Sequence, residues 1–298
     1  MPKMLIPMVL KPSVRPLKYY DIVGDLMLSF LANRRITIIK QVGDSAVLMT
    51  KVSHEDGSRL PIIINDKDEL IRFVKIGGID FMASVNTVLT KGIDTVIIDV
   101  KGGRKVWMHD RGLELMDLMV AAVRAVLEYV GLANNAVVFD GMNGFKVMAL
   151  LTKAIGDEEM RALVGMINEV VSRSMKSIDL FQTFGNDVII GGNTMLKVKM
   201  YRVPLSLHWS TKLSAIPVAR VYDFITFSAD PSNVIRRLDI NRKLLEPLFV
   251  KNPVDQLLDS VGRWLNNDYS LIYYMKGIIR GLIRGGDLEI DRENLKTR

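Results

Sequence analysis

The chain has 298 residues, with 40 Lys plus Arg against 33 Asp plus Glu, a net charge of +7 and no cysteine. Disulfides and thiolate zinc sites are therefore excluded, and the three histidines, His54, His109 and His208, lie far apart in sequence, so any metal falls to carboxylates, which suits Mg²⁺ or Mn²⁺. A hydrophobic share of 49% with 24% charged residues describes a folded chain long enough for two sub-modules, and its basic excess suits a polyanionic partner.

The N-terminal stretch MPKMLIPMVLKPSVRP is too short in its apolar run, and too broken by proline, to span a membrane; a cytoplasmic protein without membrane association is expected. Residues 17–34 read as a helix, with Ile22, Leu26, Phe30 and Leu31 at helical spacing. Strands are expected over 36–41, 46–52 and 60–64. Asp66 is placed to cap a helix from Lys67, with Leu70, Ile71 and Val74 on one face and Gly77-Gly78 as its stop. The run TVIIDV at 95–100 has the branched apolar content of a buried strand, ended by Gly102-Gly103.

Residues 111–130 form the clearest helix, since Leu115, Leu118, Met119, Ala122, Val126 and Tyr129 recur on one face. A strand at 136–139, a Gly-containing hairpin at 141–144 and a strand at 145–150 follow. Asp157 starts a helix that runs to about residue 174. Strands are expected over 188–190 and 197–203, a helical or loop-rich stretch over 231–248, and helices over 253–265 and 271–283. The seam near 84–94 separates an N-terminal α/β module (1–90) from a central β-α-β-β unit (91–250). Residues 251–298 read as a helical appendage.

Two local signals bear on ligands. KGGRK (101–105), following a strand, has the backbone N–H groups to cradle a phosphate, although an ordinary turn is the commoner outcome. Lys276, Arg280 and Arg284 fall at i, i+4 and i+8, one basic helical face suited to nucleic acid, an acidic partner or a membrane surface, although a solvated face is the commoner outcome. Trp264, Tyr269, Tyr273 and Tyr274 stand beside that face, either to stack on bases or to fill a core.

Three strings occur in order along these elements: Ile97-Ile98-Asp99-Val100-Lys101-Gly102-Gly103, Asp140-Gly141-Met142-Asn143-Gly144-Phe145-Lys146, and Pro204-Leu205-Ser206-Leu207-His208-Trp209-Ser210-Thr211. Together they resemble the motifs of the archaeo-eukaryotic primase superfamily. Its members include the small subunit of archaeal primase and the polymerase domain of bacterial end-joining ligases. The first family motif is a strand ending in Asp-x-Asp. The second is a Ser-Gly-x-x-Gly-x-His hairpin whose histidine grips the incoming triphosphate, and the third reads roughly Pro-x-Ser-x-His-x-Lys-Thr. The upstream segment INDKDELIRFVKIGGIDFMASV is similar to the helix and strand before the first motif in the ligase-associated polymerases. The resemblance covers about residues 20–235.

The resemblance implies an α+β fold: a primase-type mixed sheet with an RRM-like palm, flanked by the N-terminal α/β module and the C-terminal helices. Phosphate-binding positions are expected at Lys101, Lys146, Arg202 and His208, although Lys146 reads equally as a solvent-facing residue at a strand start and His208 as a half-buried histidine bonded to backbone. Departures from the family cluster where the chemistry would be. Two Asp residues two apart on a strand share a face, and with a third acid they hold the two divalent metals that activate the primer 3′-hydroxyl and neutralise the triphosphate. Lys101 replaces the second acid. Set beside Asp99 it is expected to pair with it and repel a metal, by ~4 kcal/mol at ~4 Å and an effective dielectric of 20. Lys146 replaces the histidine, Ser210 the lysine, and Asp140 a hydroxyl residue, where it is expected to repel a triphosphate or to pair with Lys146 or Lys101. The third acid belongs on a strand before Pro204; Asp187 is the nearest, while Gly191 or Leu196 fits the aligned place equally.

The expectation is a primase-polymerase-like protein with a degenerate site and no resident cofactor. Its partners would be nucleic acid, DNA more than RNA, or a replication or repair protein. One alternative is an active nucleotidyltransferase holding a single Mg²⁺ or Mn²⁺ on Asp99 and Asp187. Another is a protein-interaction subunit that does not touch nucleic acid.

Overall fold

A computed structural model describes residues 13–43, 45–53, 57–191 and 199–285. Helix α1 (Pro16–Leu31) starts on a proline, whose fixed φ suits a first turn, and buries Tyr19, Tyr20, Val23, Met27 and Phe30. It is followed by β1 (Arg34–Val42), β2 (Ser45–Met49), and the short β3 (Lys51–Ser53) and β4 (Arg59–Pro61). Asp66 caps α2 (Lys67–Lys75) by accepting from the Glu69 N–H at 2.8 Å, as expected for a carboxylate at that position. Next come β5 (Gly78–Thr87), β6 (Ile93–Gly102), the one-turn α3 (Arg104–Met108), α4 (Gly112–Tyr129), β7 (Asn135–Phe139), β8 (Gly144–Ile155) and α5 (Asp157–Met175). The remainder is α6 (Asp179–Phe184), β9 (Val188–Gly191), β10 (Met200–Arg202), α7 (Pro231–Arg236), α8 (Leu238–Leu245), α9 (Asp255–Leu265) and α10 (Ser270–Gly285).

Among the described residues, the strands make two four-stranded sheets and a two-stranded ribbon, all antiparallel. One sheet has the order β10-β5-β1-β2 and the other β7-β8-β6-β9, while β3 pairs with β4. Helices α1 and α2 cover the first sheet; α4 and α5 lie on the second, with α9 and α10 packed outside them. Residues 203–218 strap the sheets together. Val203 donates its N–H to the Phe81 carbonyl of the first sheet, and Phe139 and Val218 exchange hydrogen bonds across β7 with Ile216 and Val137. The Tyr19 hydroxyl donates to the Leu205 carbonyl at 2.8 Å, fixing the strap from below.

The mixed α+β expectation holds, and the long periodic elements fall where expected. The differences lie where tertiary pairing decides. The expected strand over 46–52 divides into β2 and β3. Residues 231–248 form α7, α8 and a 3-10 turn at Glu246–Phe249. Of the expected strand 197–203, residues 197 and 198 lie outside the described residues, and β10 pairs with β5 so that the N-terminal sheet takes a strand from the second half of the chain. Helices α3 and α6 are too short to carry a periodic signal.

Candidate functional site

Position on β6 separates the residues of the first motif by face. A Cβ on Gly102 would point at the Met116 sulfur of α4, so Ile98, Val100 and Gly102 face the helices while Asp99 and Lys101 face the other way. Asp99 is flanked on β8 by Lys146 and on β9 by Gly191, each its direct cross-strand partner. Cross-strand neighbours in a ladder stand close enough for their side chains to meet. The Lys146 amine lies 2.5 Å from the Asp99 carboxylate, with the two side chains only 5% and 6% exposed. The cation on Asp99 is therefore Lys146, and the expected Asp99–Lys101 pairing is corrected accordingly. Lys101 is half-buried, and its stem packs over Gly144, its partner on β8.

The hairpin between β7 and β8 carries the second motif. One oxygen of Asp140 accepts the N–H groups of Met142, Asn143 and Gly144 at 2.8, 3.0 and 3.1 Å. Successive N–H groups turned inward form an anion-binding concavity, and here the anion is the chain's own carboxylate. Asp140 was expected to pair with Lys146 or Lys101; its carboxylate is held by backbone instead, because the hairpin turns those donors onto it. Gly141 takes φ +83°, and a side chain there would meet the His208 Cβ at 3.0 Å, so the hairpin and the strap touch at this glycine.

His208 is buried in the strap. Its Nδ1 accepts from the Ser210 and Thr211 N–H groups at 3.2 and 3.3 Å. Burial, helped by the nearby Arg202 charge, lowers its pKa to about 4, so the ring is neutral at pH 7. Arg202, on β10, makes a two-pronged pair with the fully buried Asp80 of β5, at 2.8 Å for each bond, and donates a further bond to the Asp140 carbonyl at 2.7 Å. Burial opposes the Arg202 charge, and Asp80 outweighs it, so its pKa sits above the usual value. The second oxygen of Asp80 also accepts the Trp209 N–H at 3.2 Å. The cation in this part of the strap is Lys212, two positions after Ser210, with its amine held by Gln41 and the Trp209 carbonyl.

Asp187 sits elsewhere. Its carboxylate accepts the Val106 N–H at 3.1 Å and its carbonyl the Gly103 N–H at 2.7 Å, so it closes the start of α3. Within KGGRK the Gly103 N–H is thus taken by a backbone carbonyl, and the carboxylate meets the Val106 N–H just after it. Gly103 is four residues beyond Asp99, roughly 13 Å along a strand. The structure thus brings Asp99 to Lys146, and Arg202 and His208 to the Asp140 hairpin, and keeps Asp187 apart from Asp99. Leu196 lies outside the described residues. Lys276 and Arg280 are on α10, with Arg280 exposed; the Arg284 side chain lies outside the described residues.

The described residues do not fit a two-metal centre. Where the chemistry needs three converging carboxylates, Asp99 bonds a lysine, Lys101 stands at the second position and Gly191 at the strand opposite. Among the described residues, no three His, Asp or Glu side chains converge as metal ligands do. Sequence reasoning missed Asp80, which sits within an alternating strand pattern and carries no motif signal. It also missed that Asp99, Asp140 and Asp187 are met by partners within the chain.

No protein-family model matches this sequence, and no curated protein matches it. Among solved structures, the polymerase domain of Ligase D from Mycobacterium tuberculosis, determined in complex with DNA, is similar to 78% of this chain and 90% of its own length. Its TM-score is 0.63 at 17% sequence identity. The two chains share a fold, the α+β primase type that the three strings implied.

Proposed function

We propose that this protein keeps the frame of a primase-polymerase, has lost metal-dependent nucleotidyl transfer, and binds nucleic acid, DNA in preference to RNA, or a cytoplasmic replication or repair protein. The buried Asp99–Lys146 pair carries this reading. A divalent ion would have to displace the lysine, and breaking a buried ion pair on one side costs about 3–5 kcal/mol. Lys101 and Gly191 supply no acid to repay that cost. The hairpin concavity, already filled by Asp140, would in addition set a carboxylate against an incoming triphosphate.

The net charge of +7 and the DNA held by the Ligase D domain support a nucleic-acid partner. The test is primer extension with labelled nucleotides in Mg²⁺ or Mn²⁺. No template-dependent product is expected; product that disappears in Asp99→Ala would overturn the reading. Gel shifts with single-stranded and primed DNA are expected to show binding that weakens steeply as salt rises, since phosphate contacts release counterions. Absence of binding at low salt would shift the function to a protein partner alone.

A further inference from the structure

Helix α10 packs inward through Leu271, Ile272, Met275 and Ile279, against α5 and α4. Its other side presents Tyr273, Lys276 and Arg280, preceded one turn earlier by Tyr269, at steps of four, three and four residues that keep them on one face. Tyr273 is 76% exposed. A large ring left in water on a folded helix forgoes about 1.5–3 kcal/mol of burial, and nothing in the helix requires an aromatic there.

Each ring on this face has a cation beside it. The Lys276 amine is 5.6 Å from the centre of the Tyr273 ring, and the Arg173 guanidinium, from α5, is 5.4 Å from that of Tyr269. Trp264 of α9 meets Tyr269 edge-on at 5.0 Å, which sets the angle of that ring. Arg173 and Arg263 have acidic helical neighbours, Glu169 and Asp259; among the described residues no carboxylate pairs with Lys276 or Arg280.

We infer that this outer face of α9 and α10 is a stacking platform for single-stranded nucleic acid, with Tyr269 and Tyr273 taking bases and Lys276, Arg280 and Arg173 the phosphates. Exposed aromatic faces interleaved with cations match a polymer whose bases alternate with charges. A duplex offers no open base face to such rings. A membrane surface fits poorly, because a helix lying in an interface inserts its apolar side, and that side of α10 is already in the core. The platform rests on the nucleic-acid reading above but not on the Asp99 face, which is directed away from the helices.

The test uses the full chain and fluorescence anisotropy with a labelled oligothymidylate and with its duplex. Tyr273→Ala is expected to weaken oligothymidylate binding about fivefold or more, as loss of one stacked base does, with duplex binding unchanged and Tyr273→Phe equal to the parent. Circular dichroism melting checks that both variants fold. If the parent binds oligothymidylate and Tyr269→Ala with Tyr273→Ala leaves the affinity unaltered, the platform is wrong while the nucleic-acid reading stands. If the parent binds neither DNA, both fall. Tighter binding to phosphatidylserine vesicles or to polyglutamate than to oligothymidylate would also overturn the platform.

Discussion

Lys146 sets its amine on the Asp99 carboxylate at a depth where neither charge is solvated. Such a pair gives little net stability over an apolar pair of the same size, yet each member depends on the other. Lys146→Met is expected to cost about 3–5 kcal/mol in urea unfolding, because it takes the paired cation from a buried carboxylate. Adding Asp99→Asn should recover part of that loss; a double variant as unstable as the summed single variants would rule the coupling out. His208 gives a second residue-level expectation. Its pKa is lowered from 6.5 to about 4, so between those values the unfolded chain binds a proton that the folded chain does not. Its contribution is therefore whole above pH 6.5 and declines as pH falls toward 4, by on the order of 3 kcal/mol. His208→Asn keeps an acceptor for the Ser210 and Thr211 N–H groups and does not titrate. Urea unfolding at successive pH values is expected to show a shallower acid loss for it than for the parent, and parallel curves would contradict the account.

Among the elements, the β7–β8 hairpin is the most tightly specified. Three N–H groups depend on one Asp140 oxygen, and the turn needs Gly141 at positive φ. Asp140→Ala is expected to lower stability by about 1–3 kcal/mol through those unmet donors, and Asp140→Asn by less, since an acceptor oxygen remains. Equal thermal melting of both variants and the parent would argue against the concavity. The hairpin, the strand of Asp99 and the long α4 were legible in the sequence, because each carries a local signature: a Gly pair, a branched apolar run, a helical period. Lys146 could be aligned but its partner could not, since the Asp99–Lys146 register is set by pairing between strands about forty-five residues apart. Asp80 and the pairing of β10 with β5 escaped for the same reason. A three-residue strand has no period of its own, and a buried acid is identified by the arginine it meets. The split of residues 231–248 into two short helices likewise follows from packing.

Across the whole molecule, two sheets, their covering helices and the connecting strap keep the shape shared with the Ligase D polymerase domain, at 17% identity. Within that shape, several buried groups in and around the three strings are met from inside: Asp99 by Lys146, Asp80 by Arg202, and the hairpin and α3 N–H groups by Asp140 and Asp187. The proposed loss of metal and triphosphate binding rests on these internal partners, the Asp99–Lys146 pair above all. The most direct test is Mn²⁺ binding followed by electron paramagnetic resonance, on the parent and on Asp99→Asn, with and without nucleoside triphosphate. The expected result is no stoichiometric Mn²⁺ site in the parent, and the same weak signal in both proteins. A stoichiometric Mn²⁺ bound by the parent and lost in Asp99→Asn would contradict it.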